Sequence, residues 1–193
     1  MPNTNREPVA LPIEWRKAKA IVVCADLGGF FPLARKSSLD DLGGVLQQLY
    51  SIWTSEVIRQ KGEPATFVGD SMLAIFRTDG CGGADPEWCA TLTAFHAVKL
   101  LRRWREDIDL NIGINAGEFL EGRWESQGRN HLVLCGDTVN RAATLGAGKV
   151  RGIMASRPVV DVLGPRVAHE RLPMRFPGSD VEEPVYRLTA LKL

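Results

Sequence analysis

The stretch TFVGDSMLAIF, Thr66 to Phe76, limits the possible folds more than any other part of this chain. Two apolar arms flank Gly69-Asp70, a two-residue turn signal that predicts a tight β-hairpin with a carboxylate at its bend. Turn chemistry alone accounts for an isolated Gly-Asp, because Asp is a good turn residue. The hairpin also interrupts an alternation of strands and helices, so it argues against a purely parallel, doubly wound sheet.

The neighbouring segments supply the remaining elements. AKAIVVCAD is a β-branched run that predicts a buried strand ending at Asp26, and LGGFF breaks it into a loop. From Ser38 to about Lys61, Leu42, Val45, Leu46, Leu49, Ile52, Trp53 and Val57 recur at helical spacing, with Gly62 as a stop and Gly43 and Gly44 weakening the first turns. Asp85-Pro86 reads as the N-cap and first position of a second helix, with Trp88, Leu92, Phe95 and Val98 on one stripe.

DLNIGINAGEFLEG predicts a strand, a glycine-containing turn and another strand. NHLVLCGD predicts a strand running into the helix TVNRAATLGAG. GIMASRPVVDVL gives a short strand with a helix, and AHERLPMRF and EPVYRLTAL two last strands. The expected architecture is one α+β domain over residues 1–193, with a mostly antiparallel central sheet, helices packed on one side, and residues 1–17 as an N-terminal extension. A chain of 193 residues buries a core of ordinary size without staples.

Bulk electrostatics names no partner. The formal net charge is +1, so no overall basic field draws the chain to nucleic acid or anionic lipid. Cys24, Cys81, Cys89 and Cys135 form no C-x-x-C pair, and the three histidines show no ligand spacing with them. The first fifteen residues are polar and contain several prolines, with no apolar signal-peptide core, and no run is long enough for a membrane span; the expected location is the cytoplasm.

Two carboxylates share a structural address if the first strand neighbours the hairpin: Asp26 at a strand end and Asp70 at the bend. Anions held that close repel unless a cation sits between them. Mg²⁺ takes one or two carboxylates and completes its shell with water and phosphate oxygens. Gly28 and Gly29, next to Asp26, allow backbone N–H groups to approach a polyphosphate.

The blocks CADLGGF, VGDSMLAIF, LNIGINAGEFLEG and LCGDTVNRAA, in this order, resemble the catalytic domain of class III nucleotide cyclases, the adenylyl and guanylyl cyclases. The resemblance implies a ferredoxin-like α+β core working as a head-to-tail homodimer with two composite sites. It implies that Asp26, Asp70 and the carbonyl of Leu27 hold two divalent ions, Mg²⁺ or Mn²⁺, and that Gly28, Gly29 and Phe30 face the phosphates. Asn140 matches the asparagine that the partner subunit sends to the ribose.

The purine-reading positions depart from both known patterns. Thr66 stands where adenylyl cyclases carry lysine and guanylyl cyclases glutamate, and Val133 stands at the second base-reading position. Threonine offers a short hydroxyl and valine only shape, a pair suited to a carbonyl-bearing base. Tyr50 is a candidate to close the pocket around a smaller base, although its helical pattern equally suits a half-buried packing role.

With these substitutions the chain looks like the short, unfused pyrimidine cyclases of the Pycsar antiphage systems. That resemblance implies conversion of UTP to cyclic UMP, with CTP the close competitor, and a separate effector that reads the product. A purine cyclase of relaxed specificity and an inactive, nucleotide-sensing or dimerising module are the alternatives. The last is motivated by Thr144, which occupies the place of the family's transition-state arginine; Arg141, Lys149 and Arg175 are the substitutes considered.

Overall fold

The computed structural model describes residues 13–126, 128–147 and 150–192. The chain runs β1 (Glu14–Gly28), α1 (Phe30–Lys36), α2 (Leu39–Arg59), β2 (Glu63–Val68), β3 (Ser71–Phe76), α3 (Pro86–Trp104) and β4 (Asp109–Ser126). It continues through β5 (Arg129–Cys135), α4 (Asp137–Gly146), β6 (Ile153–Ser156), α5 (Arg157–Leu163), a 3-10 turn (Gly164–Arg166), β7 (Val167–Arg175) and β8 (Glu182–Leu191).

The sheet order is β2-β3-β1-β4-β6-β8-β7, with β5 paired to β4 beyond β6. Every pairing is antiparallel except β4 with β6. The order β2-β3-β1-β4, with α2 after β1 and α3 after β3, is the ferredoxin-like arrangement expected from the sequence.

One sheet face is apolar because alternate strand residues point to it. Ile21, Val23, Ala25 and Leu27 of β1 meet Met72, Ala74 and Phe76 of β3 and Ile112 and Ile114 of β4 under the buried stripes of α2 and α3. Fully buried Trp53 and Leu49 come from α2, and Ala90, Ala94 and Ala97 from α3. Ser38 caps α2 by accepting the Asp41 N–H at 3.1 Å, and Gly43 and Gly44 sit in the helix without breaking it.

The helices are not confined to one side. α4 packs on the opposite face, where Val139 and Ala142 join Val22, Cys24, Ile75 and Phe119. This placement also explains β4, a single strand of 18 residues where a turn was expected. A Cβ on Gly113 would lie 2.1 Å from the Ala142 carbonyl oxygen, and one on Gly117 2.5 Å from Thr138 Oγ1. These glycines admit the α4 backbone; they do not bend the strand.

Three smaller expectations also change. β1 starts at Glu14, inside the segment expected to be an extension, and residues 1–12 lie outside the described residues. LGGFF is not wholly a loop, because Gly29 adopts the left-handed conformation (φ 82) and starts α1 at Phe30. Asp85 occupies the N-cap of α3 without capping it through its side chain, which accepts instead from Arg166 at 2.7 Å.

Candidate active site

Asp26 and Asp70 come together at one end of the sheet. The β1–β3 register ends at Ala25 opposite Met72, and continuing it by two residues sets Leu27 across from Asp70. The Asp70 carboxylate accepts from the backbone N–H of Leu27 and from its own, and it shares a hydrogen bond with the Asp26 carboxyl. Burial first, then the Asp70 charge and the shared hydrogen bond, push Asp26 up to about 6. Burial also raises Asp70, opposed by the two backbone N–H groups and the Asp26 hydrogen bond.

The hairpin turn that carries Asp70 is held at two points. Gly69 takes a positive φ of 57 at the first central position, which only glycine adopts freely. The hydroxyl of Tyr50, on α2, donates to the Gly69 carbonyl, and its ring packs on Phe67 with centroids 4.9 Å apart. Tyr50 therefore has a structural contact beside the acids, whatever else it touches.

The donor set suits a hard divalent cation. Two carboxyl groups in contact, one kept partly protonated by burial and by the other's charge, are a pair that Mg²⁺ or Mn²⁺ relieves. Asp26, Asp70 and the Leu27 backbone would hold it. No cluster of three or more His, Cys, Asp or Glu side chains occurs among the described residues, so the remaining ligands would be water and phosphate. Beside the acids, Gly28 is crowded: a Cβ there would lie 3.2 Å from Asn111 Nδ2 and from the Asp109 carbonyl oxygen. Gly29 faces open space, and the N–H groups of Phe30 and Phe31 begin α1 without intrahelical partners.

The other sequence candidates are more dispersed. Thr66 pairs with Leu73 and shares its face of the sheet, the α4 side. Val133 pairs with Gly122, and by strand alternation its side chain leaves by the opposite face, although β2 and β5 come into contact. Asn140 is exposed on α4, one turn before Thr144, whose hydroxyl donates back to the Asn140 carbonyl at 2.8 Å.

The proposed replacements for an arginine at position 144 fare unevenly. Arg141 is engaged by Glu183 at 2.7 Å and Asp137 at 2.7 Å and covers the Phe176 ring, so it is committed within its own chain. Arg175 is an exposed residue at the end of β7, and Lys149 lies outside the described residues.

One feature escaped sequence reasoning. Glu121 on β4 is wholly buried, yet it accepts from Arg16 at 2.6 Å, from Arg123 at 2.5 Å and from Arg77. Arg123 also reaches Glu63 at 2.6 Å. Burial alone would raise the Glu121 carboxyl; the hydrogen bonds from Arg123, Arg77 and Arg16 outweigh it and hold the group at about 2. This cluster ties the far half of β4 to β1, β2 and β3 and so fixes the sheet around Thr66.

A family model described as the adenylate and guanylate cyclase catalytic domain matches residues 15–183. The chain belongs to that family. Photoactivated adenylate cyclase subunit alpha of Euglena gracilis is 26% identical over 175 residues, covering 84% of this chain and 16% of that protein. An uncharacterized protein of Mycobacterium tuberculosis is 29% identical over 130 residues, 65% of this chain and 23% of the relative. The chain thus spans less than a quarter of either relative's length.

Solved structures agree on the fold. The adenylyl cyclase CyaB from P. aeruginosa superposes with a TM-score of 0.81 at 19% identity, covering 93% of this chain and 97% of that one. The guanylyl cyclase Cya2 gives 0.82 at 19% identity over 92% and 94%. These proteins are purine cyclases by name. The narrower resemblance to pyrimidine cyclases rests on Thr66, Val133 and Tyr50 alone.

Proposed function

We propose that this chain is a nucleotide cyclase, and that its substrate is a pyrimidine nucleoside triphosphate, UTP before CTP. In the reaction the ribose 3′-oxygen bonds to the α-phosphorus, the bond to the β-phosphate oxygen breaks, pyrophosphate leaves, and the 3′-hydroxyl proton passes to solvent. Bound divalent ions supply the charge that acidifies the 3′-hydroxyl and neutralises the triphosphate.

The remaining work falls to the chain's own residues. Asp26 and Asp70 are fixed to each other by the Leu27 N–H and the hairpin, so the acids are positioned before any ligand arrives. The N–H groups of Phe30 and Phe31, without intrahelical partners at the start of α1, would receive phosphate oxygens. Asn140, exposed on α4, orients the ribose of a site completed by a second copy of the chain. The product would serve as a signal read by a separate effector.

The observation that carries the pyrimidine reading is the joint absence of both purine codes at Thr66 and Val133. The lysine or glutamate that would pair a purine edge is missing at position 66, and Val133 offers no hydrogen bond, so the polar groups that select a purine are not supplied. The purified chain is incubated with ATP, GTP, CTP and UTP in Mn²⁺ and the products are separated. Cyclic UMP is expected to dominate; dominant cyclic AMP or cyclic GMP rejects the pyrimidine assignment.

Two other readings have specific support. Relatives named as adenylyl and guanylyl cyclases favour a purine substrate, and the same assay separates it. Thr144 favours a binding module without turnover, because losing a transition-state charge costs a factor of about a hundred or more. Product from the wild type that disappears in Asp70→Ala rejects that module.

A further inference from the structure

β1 begins early enough to carry Trp15 into the sheet, where it pairs with Gly122 of β4. Gly122 in turn pairs with Val133 of β5, so Trp15, Gly122 and Val133 form one row on one face. The indole lies directly on the glycine: a Cβ on Gly122 would meet Trp15 Cζ3 at 2.7 Å, Cε3 at 2.9 Å and Cη2 at 3.0 Å. No other residue at 122 leaves room for that ring. Gly122 therefore serves to admit the indole beside Val133.

The ring is nevertheless left open. Trp15 is 52% exposed, and Leu120, in the next row of the same face, is 45% exposed. Trp124, in the row on the other side, spends its ring on His131, stacked at 4.8 Å and 12°. Among the described residues Trp15 has no such stacked partner; one of its faces is held against the sheet by Gly122 and the ring is half exposed. A large, oriented, half-open aromatic surface next to a residue that supplies only shape is suited to stacking a flat ring.

We propose that Trp15 is a specificity-determining residue of the nucleobase pocket: its indole stacks on the base beside Val133 and fills the space that the second ring of a purine would need. This rests on the reading that position 133 faces the base. Stacking supplies affinity without hydrogen-bond readout, because every base has a π-face. Selection of one ring over two then comes from volume, which matches a valine at position 133. The segment is part of the substrate pocket and not an N-terminal extension.

The test uses the full chain as wild type, Trp15→Phe and Trp15→Ala, each checked for an unchanged circular dichroism spectrum. A non-cyclisable UTP analogue is titrated while intrinsic fluorescence is read. Quenching is expected in the wild type and largely lost in Trp15→Phe, with Trp124, stacked on His131 in the adjacent row, contributing only the remainder. In turnover, Trp15→Ala is expected to raise KM for UTP about tenfold with kcat nearly unchanged, and to raise the ATP-to-UTP ratio of kcat/KM by a similar factor. Trp15→Phe, which retains an aromatic face, is expected to keep the wild-type ratio.

Equal quenching in wild type and Trp15→Phe overturns the proposal, and so does an unchanged ATP-to-UTP ratio in Trp15→Ala. A change confined to the dimer mass in Trp15→Ala also overturns it, in favour of a contact between copies. If the wild type prefers a purine, the pyrimidine reading fails by itself. Quenching by ATP that is lost in Trp15→Phe then still upholds the stacking role.

Discussion

The Tyr50 hydroxyl donates to the Gly69 carbonyl, so helix α2 holds the turn whose next residue is Asp70. Asp70, proposed as a metal ligand on an otherwise exposed hairpin tip, is thereby referred to the core through the buried stripe of α2. Removing the hydroxyl leaves the ring and its Phe67 contact in place. Tyr50→Phe is expected to cost about 1 kcal/mol of stability in chemical denaturation. It is also expected to raise the Mn²⁺ concentration needed for half-maximal turnover. An unchanged metal requirement removes the tether from the account.

Gly113 sets how closely α4 approaches β4. A methyl group there would sit 2.1 Å from the Ala142 carbonyl oxygen, which belongs to a helix backbone and has no rotamer to give. Gly113→Ala is expected to destabilise the fold by about 3 kcal/mol, the upper range for overpacking. Thermal unfolding checks this, with Gly29→Ala as the contrasting case: nothing lies near its Cβ, and only the positive φ resists substitution.

Glu121 is held at about 2, so the folded chain resists protonating it. The stability it contributes is present above its ordinary value of 4.5 and is lost as pH falls through about 2. Glu121→Gln leaves three guanidinium groups around a neutral amide. A loss of about 3 kcal/mol is expected at pH 7, shrinking toward zero as pH approaches 2. Denaturation of both proteins across that range reads the difference, and a difference that stays constant with pH contradicts the ionic role.

Asp26 shows the opposite sign. Its carboxyl is raised from 3.8 to about 6, so the metal-free folded chain keeps a proton that the unfolded chain has released. The associated stability is complete below 3.8 and is lost as pH rises through about 6. In the presence of a chelator, Asp26→Asn is expected to flatten the dependence of melting temperature on pH between these values. Parallel profiles for the two proteins contradict a raised Asp26 carboxyl in the folded chain.

Local chemistry was legible in the sequence and distant chemistry was not. The hairpin around Asp70, the helix beginning near Ser38 and the strand through Asp26 follow from turn residues, apolar spacing and β-branching within a few positions. The glycines of β4 were read as a turn because the reason for them, α4 packing on the far face, comes from a segment more than twenty residues downstream. The Glu121 cluster escaped for the same cause: Arg16 lies 105 residues away and Arg77 44. Trp15 falls in a polar, proline-containing stretch, MPNTNREPVALPIEW, that reads as an extension, and only its pairing with β4 makes it part of a strand.

The central claim is that Asp26 and Asp70 act together as a clamp for divalent ions in cyclisation. Turnover of the preferred nucleoside triphosphate in saturating Mn²⁺ is measured for the wild type and for Asp70→Asn, with binding of Mn²⁺ followed by electron paramagnetic resonance. The account predicts a loss of about a thousandfold or more in turnover together with weakened Mn²⁺ binding. Equal turnover with undiminished Mn²⁺ binding would contradict it.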